Sequence, residues 1–184
     1  MILNTGSPDA IVMGLSASPE EWLDLPSVKQ AAIPYFHRFS GGGTVYVDHN
    51  TLFATFIMNR NTLPIEIFPK PILQWTADFY REALGLGLTL VENDYTIGNK
   101  KIGGNAQYLR KDRWLHHTTF LYDYDPKKMK TLLIPRRQPE YRKGRSHDEF
   151  LTTLKPHLTK EQFCTKIADH LETAFEVSLT APIF

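Results

Sequence analysis

The sequence predicts an α+β domain, a mixed and largely antiparallel sheet with helices packed on it. Three observations carry this reading: strand-like runs dominate the first half, one helix with a clear apolar face interrupts them, and the last third carries two helix-start signals. No internal repeat, low-complexity tract or linker divides the chain, so residues 1–184 read as one domain.

In order, residues 10–13 (Ala-Ile-Val-Met) form a strand that stops at Gly14. Leu25-Pro26 opens a short helix over 27–32, and Pro34 returns the chain to extended structure. Strands at 35–39 and 44–47 flank a glycine run, and 52–58 is β-branched and aromatic. Between 71 and 86, Ile72, Trp75, Phe79, Ala83 and Leu86 recur at spacings of three and four, the mark of one helical face. Gly85 and Gly87 offer its end, with strands to follow at 88–91, 95–97, 107–109 and 114–122. Ser146 with Glu149 has the form of a capping box for a helix through Leu154, which Pro156 closes. Thr159 with Gln162 repeats the signal before the stripe Phe163, Ile167, Leu171 and Ala174 or Phe175, and 176–179 reads as a closing strand.

Composition excludes several classes. No apolar run approaches the roughly 18 residues of a membrane span. The start lacks a secretory signal and Cys164 is the single cysteine, which together point to a reducing, cytoplasmic setting without disulfides. A net charge of +1 gives no overall field for nucleic acid. Charge is nevertheless uneven: Lys127, Lys128, Lys130, Arg136, Arg137, Arg142, Lys143 and Arg145 crowd a stretch with Glu140 as its only carboxylate, either a docking surface or a solvated loop.

The segment most informative about chemistry is His37-Arg38-Phe39-Ser40-Gly41-Gly42-Gly43-Thr44-Val45. Three glycines between strands remove side chains where a ligand must approach the main chain, and free amides there favour an anion. A loose hairpin turn is the competing reading. The pattern is neither a phosphate-binding Walker loop nor a dinucleotide fingerprint, since both run into a helix. His116 and His117 are neighbours on a strand and point to opposite faces, so no metal site is expected. Cys164 lies beside Phe163 in the last helix and reads as a packed thiol.

Arg38-Phe39-Ser40-Gly41-Gly42-Gly43-Thr44-Val45 resembles the Arg-x-Ser-Gly-Gly-Gly-x-Val signature of the lipoate–protein ligase A family, and Lys101-Ile102-Gly103-Gly104-Asn105-Ala106-Gln107 is similar to its Lys-Ile-Ser-Gly-x-Ala-Gln stretch. With Ile11-Val12-Met13-Gly14 upstream and His117-Thr118-Thr119-Phe120-Leu121 downstream, these keep the family's order over most of the chain. The resemblance implies the biotin/lipoate ligase catalytic-domain fold, which is like that of class II aminoacyl-tRNA synthetases. It further implies attachment of lipoate or octanoate to a carrier lysine through an acyl-adenylate made from ATP with Mg²⁺. The partners implied are a lipoyl carrier domain or a glycine-cleavage H-type protein. By position, Lys101 becomes the catalytic cation. Arg38, Ser40, Gly41, Gly42, Gly43, Thr44, Gly104, Asn105, Ala106 and His117 become the acyl- and adenylate-binding set.

Departures accompany the match: His37 stands where the family has arginine, and Val47 where it often has histidine before Asp48. Relatives commonly carry a leading strand and long helix and an accessory C-terminal domain, and neither is expected within residues 1–184. The resemblance therefore implies a separate accessory subunit, transfer of an acyl group from another carrier, or ligand binding without catalysis.

Overall fold

The structure is a computed structural model that describes residues 1–134 and 138–176. Along the chain these residues form β1 (Ile2–Asn4), β2 (Ala10–Met13), α1 (Pro19–Trp22), α2 (Leu25–Gln30), β3 (Tyr35–His37), β4 (Val45–Val47), β5 (Thr51–Asn59) and α3 (Pro69–Leu84). There follow β6 (Thr89–Val91), β7 (Asp94–Ile97), β8 (Lys100–Leu109), β9 (Arg113–Leu121), α4 (Pro126–Met129), a 3₁₀ turn (Glu140–Arg142), α5 (His147–Phe150) and α6 (Lys160–Ala174). The strand expected at 176–179 lies, beyond Glu176, outside the described residues.

Six strands make a sheet in the order β1-β5-β9-β8-β7-β6, antiparallel at every step. A second sheet has the order β3-β2-β4, with β2 parallel to β3 and antiparallel to β4. The large sheet obeys the period of two. Leu52, Ala54 and Phe56 of β5, with Trp114, His116 and Phe120 of β9, are buried on one face, where α3 and α6 supply Ile72, Tyr80, Leu84, Phe163 and Ile167. Each such side chain contributes about 1.5–3 kcal/mol on leaving water. The intervening residues Phe53, Thr55, Leu115 and His117 face a cleft that the small sheet also lines. The small sheet packs its own core of Ile11, Met13, Val28, Tyr46 and Met129.

Local chemistry explains most boundaries. Helix α3 starts two residues before the expected position because Pro69 and Pro71 occupy its first turn, where backbone N–H groups have no intrahelical partner anyway. It stops where Gly85 turns left-handed (φ 68°) and donates its N–H to the Arg81 carbonyl. Both capping boxes are present: Ser146 with Glu149, and Thr159 with Gln162. The first opens a shorter helix than expected. Leu151 is extended and bridges Lys101, whose carbonyl accepts from the Thr152 N–H at 2.9 Å, so pairing with the sheet replaces the remaining helical turn. Strand β8 runs longer than the expected 107–109, because β9 pairs with Gly103, Gly104 and Asn105, and β7 with Gly103 as well, which holds them extended despite their weak strand preference. Among the described residues no helix is long and apolar enough to cross a membrane.

Candidate functional site

Between the sheets lies a cleft of about 1190 Å³. Its apolar wall includes Val12, Val45, Val47, Phe53, Leu73 and Leu115, and its polar wall holds the glycine run, Lys101, Asn105 and His117. That size and mixture suit a small acid whose apolar tail is buried and whose polar end is oriented by a few groups.

Arg38 builds the glycine loop from inside. Its Nε donates to Ser40 Oγ at 3.2 Å, Nη1 to the Val12 carbonyl at 3.4 Å, and Nη2 to the Gly41 and Gly43 carbonyls at 2.8 and 2.9 Å. Its fork is committed largely to protein acceptors, so Arg38 shapes the cleft wall more than it offers charge to a ligand. Turning the Gly41 and Gly43 carbonyls toward Arg38 requires an unusual backbone, and Gly42 has φ of 106°. Gly14 is needed as well: a methyl group there would run into the Gly42 carbonyl, so two separated sequence motifs meet. Ser40 is buried, while Thr44 Oγ1 is buried at the cleft wall with no hydrogen-bond partner among the described residues. His37, the departure beside the loop, bonds the Ala17 carbonyl at 2.8 Å and anchors the loop's base.

Lys101 Nζ lies 2.7 Å from Asp94 Oδ1, and the side chains are 26% and 9% exposed. The second oxygen of Asp94 accepts from Tyr141 O–H at 2.9 Å. Burial, then the Asp94 charge, raise the Tyr141 phenol above its ordinary range, which keeps it a donor. The ammonium is thus fixed at one end by a buried carboxylate. Gly104 lies beside it on the cleft wall, where an added methyl group would make ordinary contact with Nζ at 3.4 Å. Asp94 and Tyr141 were not among the sequence candidates. The hairpin could have suggested Asp94, since Thr96 pairs with Lys101, but the register shift between Tyr95 and Thr96 hides the outcome.

The rest of the second motif divides between wall and core. Asn105 lines the cleft and donates from Nδ2 to the Asn93 carbonyl at 2.6 Å, so one of its two N–H donors braces the β6–β7 turn. Ala106 is buried at the wall. Gly103 makes room for Phe120, whose ring carbon would lie 2.9 Å from an added methyl; the serine of the family's pattern has no space here. Gln107 faces the cleft, yet its Nε2 donates to the Pro69 carbonyl and to His116 Nδ1, both at 3.0 Å.

His116 and His117 do point to opposite faces. His116 is fully buried, bonds Tyr95 Oη through Nε2 at 2.9 Å, and burial pushes its pKa down to about 3. His117 lines the cleft with Nδ1 2.6 Å from Thr55 Oγ1; burial, then the Arg38 charge, lower its pKa.

Elsewhere the structure redistributes the expected roles. Lys128 pairs with Asp9 at 2.5 Å, Arg142 is buried, and Arg145 donates to the Asn99, Tyr141 and Arg142 carbonyls, so much of the basic stretch is spent internally. Arg136 and Arg137 lie outside the described residues. Asp9, Asp48 and His49 bring ligand-type atoms within 4.8 Å of one another, away from the cleft lining and with the Lys128 ammonium already on Asp9. Cys164 packs against the α3–α6 core, burial raises its pKa, and it does not line the cleft.

Together, a two-sheet α+β fold and a glycine-lined cleft holding an anchored lysine frame the candidate site. Residues 1–176 match the lipoyl protein ligase A/B catalytic domain, and the chain belongs to that family. It is 27% identical over 203 residues to the protein named inactive lipoate–protein ligase 2 of Plasmodium falciparum (isolate 3D7), covering 88% of this chain and 53% of that one. It is 31% identical over 124 residues to the probable lipoate-protein ligase A of Mycoplasma genitalium, covering 66% and 36%. The chain therefore spans about half and about a third of these relatives. Among solved structures, a bi-partite lipoate protein ligase from Thermoplasma acidophilum has a TM-score of 0.77 at 21% identity, covering 92% of this chain and 68% of that one. A lipoate-protein ligase A bound with ATP has a TM-score of 0.76 at 20% identity, covering 92% and 70%. These likenesses establish the fold.

Proposed function

We propose that this chain holds lipoate or octanoate as the acyl-adenylate and passes the acyl group to a lysine of a lipoyl carrier domain or a glycine-cleavage H-type protein. The observation that carries the reading is Lys101, an ammonium held by Asp94 on the cleft wall beside Gly104. In the reaction the carrier amine forms a bond to the acyl carbon and gives up a proton to solvent, the carbon–oxygen bond to phosphate breaks, and AMP leaves with the electron pair. Negative charge grows on the carbonyl oxygen and on the departing phosphate, where a preorganised cation is most effective. The glycine amides address the same end, and Val12, Val47 and Phe53 suit the acyl chain. ATP supplies the adenylate, with Mg²⁺ as part of that substrate. Activation takes place on this chain or on an accessory subunit, an arrangement with a parallel in the bi-partite archaeal ligase. The placement of Cys164 outside the cleft speaks against a thioester intermediate.

One relative's designation as inactive favours a second reading, ligand binding without turnover. Synthetic lipoyl-AMP separates the two, with the mass of an apo lipoyl domain followed by intact-protein spectrometry. The ligase reading expects the carrier to gain one lipoyl group, and Lys101→Ala to slow this by about 10²–10³-fold. Tight lipoyl-AMP binding without mass gain establishes the second reading, and no binding refutes both.

A further inference from the structure

We propose that a groove beside the cleft, between Ile57 of β5 and the β8–β9 turn, docks the carrier domain through an acidic surface with an apolar tip. The inference rests on the acyl-transfer reading and adds where the macromolecular substrate sits.

The groove, of about 510 Å³, is lined by Phe39, Ile57, Tyr108, Arg110, Arg113 and Leu115, together with Asp112 and Trp114. Phe39 and Leu115 also line the cleft, so whatever fills the groove adjoins the site where the acceptor lysine must enter. Its apolar part is open to solvent, with Phe39 60% and Ile57 50% exposed, and Phe39 is braced edge-on against Tyr108 with ring centroids 5.0 Å apart. Contiguous exposed apolar groups of this kind are characteristic of interaction surfaces, whereas single ones are ordinary.

Charge selects the occupant. Arg110, Lys111 and Arg113 fall within four consecutive residues whose one carboxylate, Asp112, makes a 3.5 Å contact to Arg113 with both side chains well exposed. A pair that open leaves the arginine available. The Arg110 guanidinium lies over the Tyr108 ring at 5.1 Å, which fixes its direction without consuming its donors. In the longer basic stretch, by contrast, Lys128, Arg142 and Arg145 are engaged within the chain. Aromatic and arginine anchors beside an apolar floor are the usual energetic centre of an interface, and here they suit carboxylates flanking a projecting lysine.

The test compares Arg110→Glu/Arg113→Glu with the unsubstituted chain, using saturating lipoyl-AMP and an apo lipoyl domain as acceptor. The KM for carrier should rise about tenfold with kcat unchanged, and its salt dependence should flatten. Calorimetric affinity for lipoyl-AMP should stay unchanged, which also reports that the variant folds. Lys127→Glu/Lys130→Glu should behave as the unsubstituted chain. A KM within twofold of the unsubstituted chain overturns the inference, as does a rise matched by lost lipoyl-AMP binding or a dimer that only the unsubstituted chain forms. If the unsubstituted chain binds lipoyl-AMP but transfers nothing, the acyl-transfer reading has failed. Direct calorimetry of carrier association then decides the groove: weaker binding by the charge-reversed variant supports docking there, and equal or absent binding overturns it.

Discussion

Acidification should destabilise this fold through one histidine, by an amount the structure supplies. The hydrogen bonds around His116 fit the neutral ring with its proton on Nε2, assigned from the network itself. Gln107 donates to Nδ1, Nε2–H donates to Tyr95 Oη, Tyr95 donates to Thr76 Oγ1 at 2.7 Å, and Thr76 donates to the Ile72 carbonyl at 2.9 Å. A second proton at Nδ1 would face the Gln107 donor and place a charge in the core. The imidazole accordingly falls from its ordinary 6.5 to about 3, with burial the leading cause and the neighbouring His117 second. Because the unfolded chain takes up this proton first, stability present above pH 6.5 is lost as the pH falls, until His116 titrates within the fold. Each pH unit in that window costs about 1.4 kcal/mol, so acidification from 6.5 to 5.0 removes about 2 kcal/mol. His117 and His147 also have lowered values and act with the same sign, so the informative quantity is a difference. Urea unfolding of the unsubstituted chain and of His116→Gln, which stays neutral and keeps an acceptor and donors, should give curves that converge on acidification by about that amount. Parallel pH dependences, or an imidazole resonance of His116 in the folded protein titrating above pH 5, would refute the reasoning.

Other substitutions probe the cleft and its supports. Gly14→Ala should push the Gly42 carbonyl and deform the glycine loop at about 1–3 kcal/mol, weakening lipoyl-AMP binding by about 5- to 150-fold; calorimetry giving unchanged affinity would mean the loop tolerates the shift. Cys164→Ser should leave acyl transfer within about twofold, and a lipoyl adduct on the unsubstituted chain lost in this variant would instead establish a thioester route. Gly103→Ser, which restores the family's pattern, should lower stability by about 1–3 kcal/mol through contact with Phe120, and Phe120→Leu in the same chain should recover part of it. Equal melting temperatures for Gly103→Ser and the unsubstituted chain would show that the ring moves aside.

What the sequence by itself determined were features whose causes are local. The spacing of Ile72, Phe79 and Ala83 wrote the buried face of α3, the Ser146 and Thr159 boxes wrote two helix starts, and alternation wrote the opposite faces of His116 and His117. Family membership was legible too, because two glycine-containing motifs in order are too specific for chance. Tertiary structure alone decided how those motifs act. Arg38 serves the loop carbonyls because folding places Val12 and the glycine run around it, and Lys101 gains its anion because a hairpin register brings in Asp94 while a distant turn brings in Tyr141. The helix opened by Ser146 ends early because Leu151 finds the backbone of Lys101, fifty residues away. Capping, periodicity and turn chemistry act over a few residues and are written in the chain, whereas partners for buried charges and carbonyls are fixed by where distant segments meet.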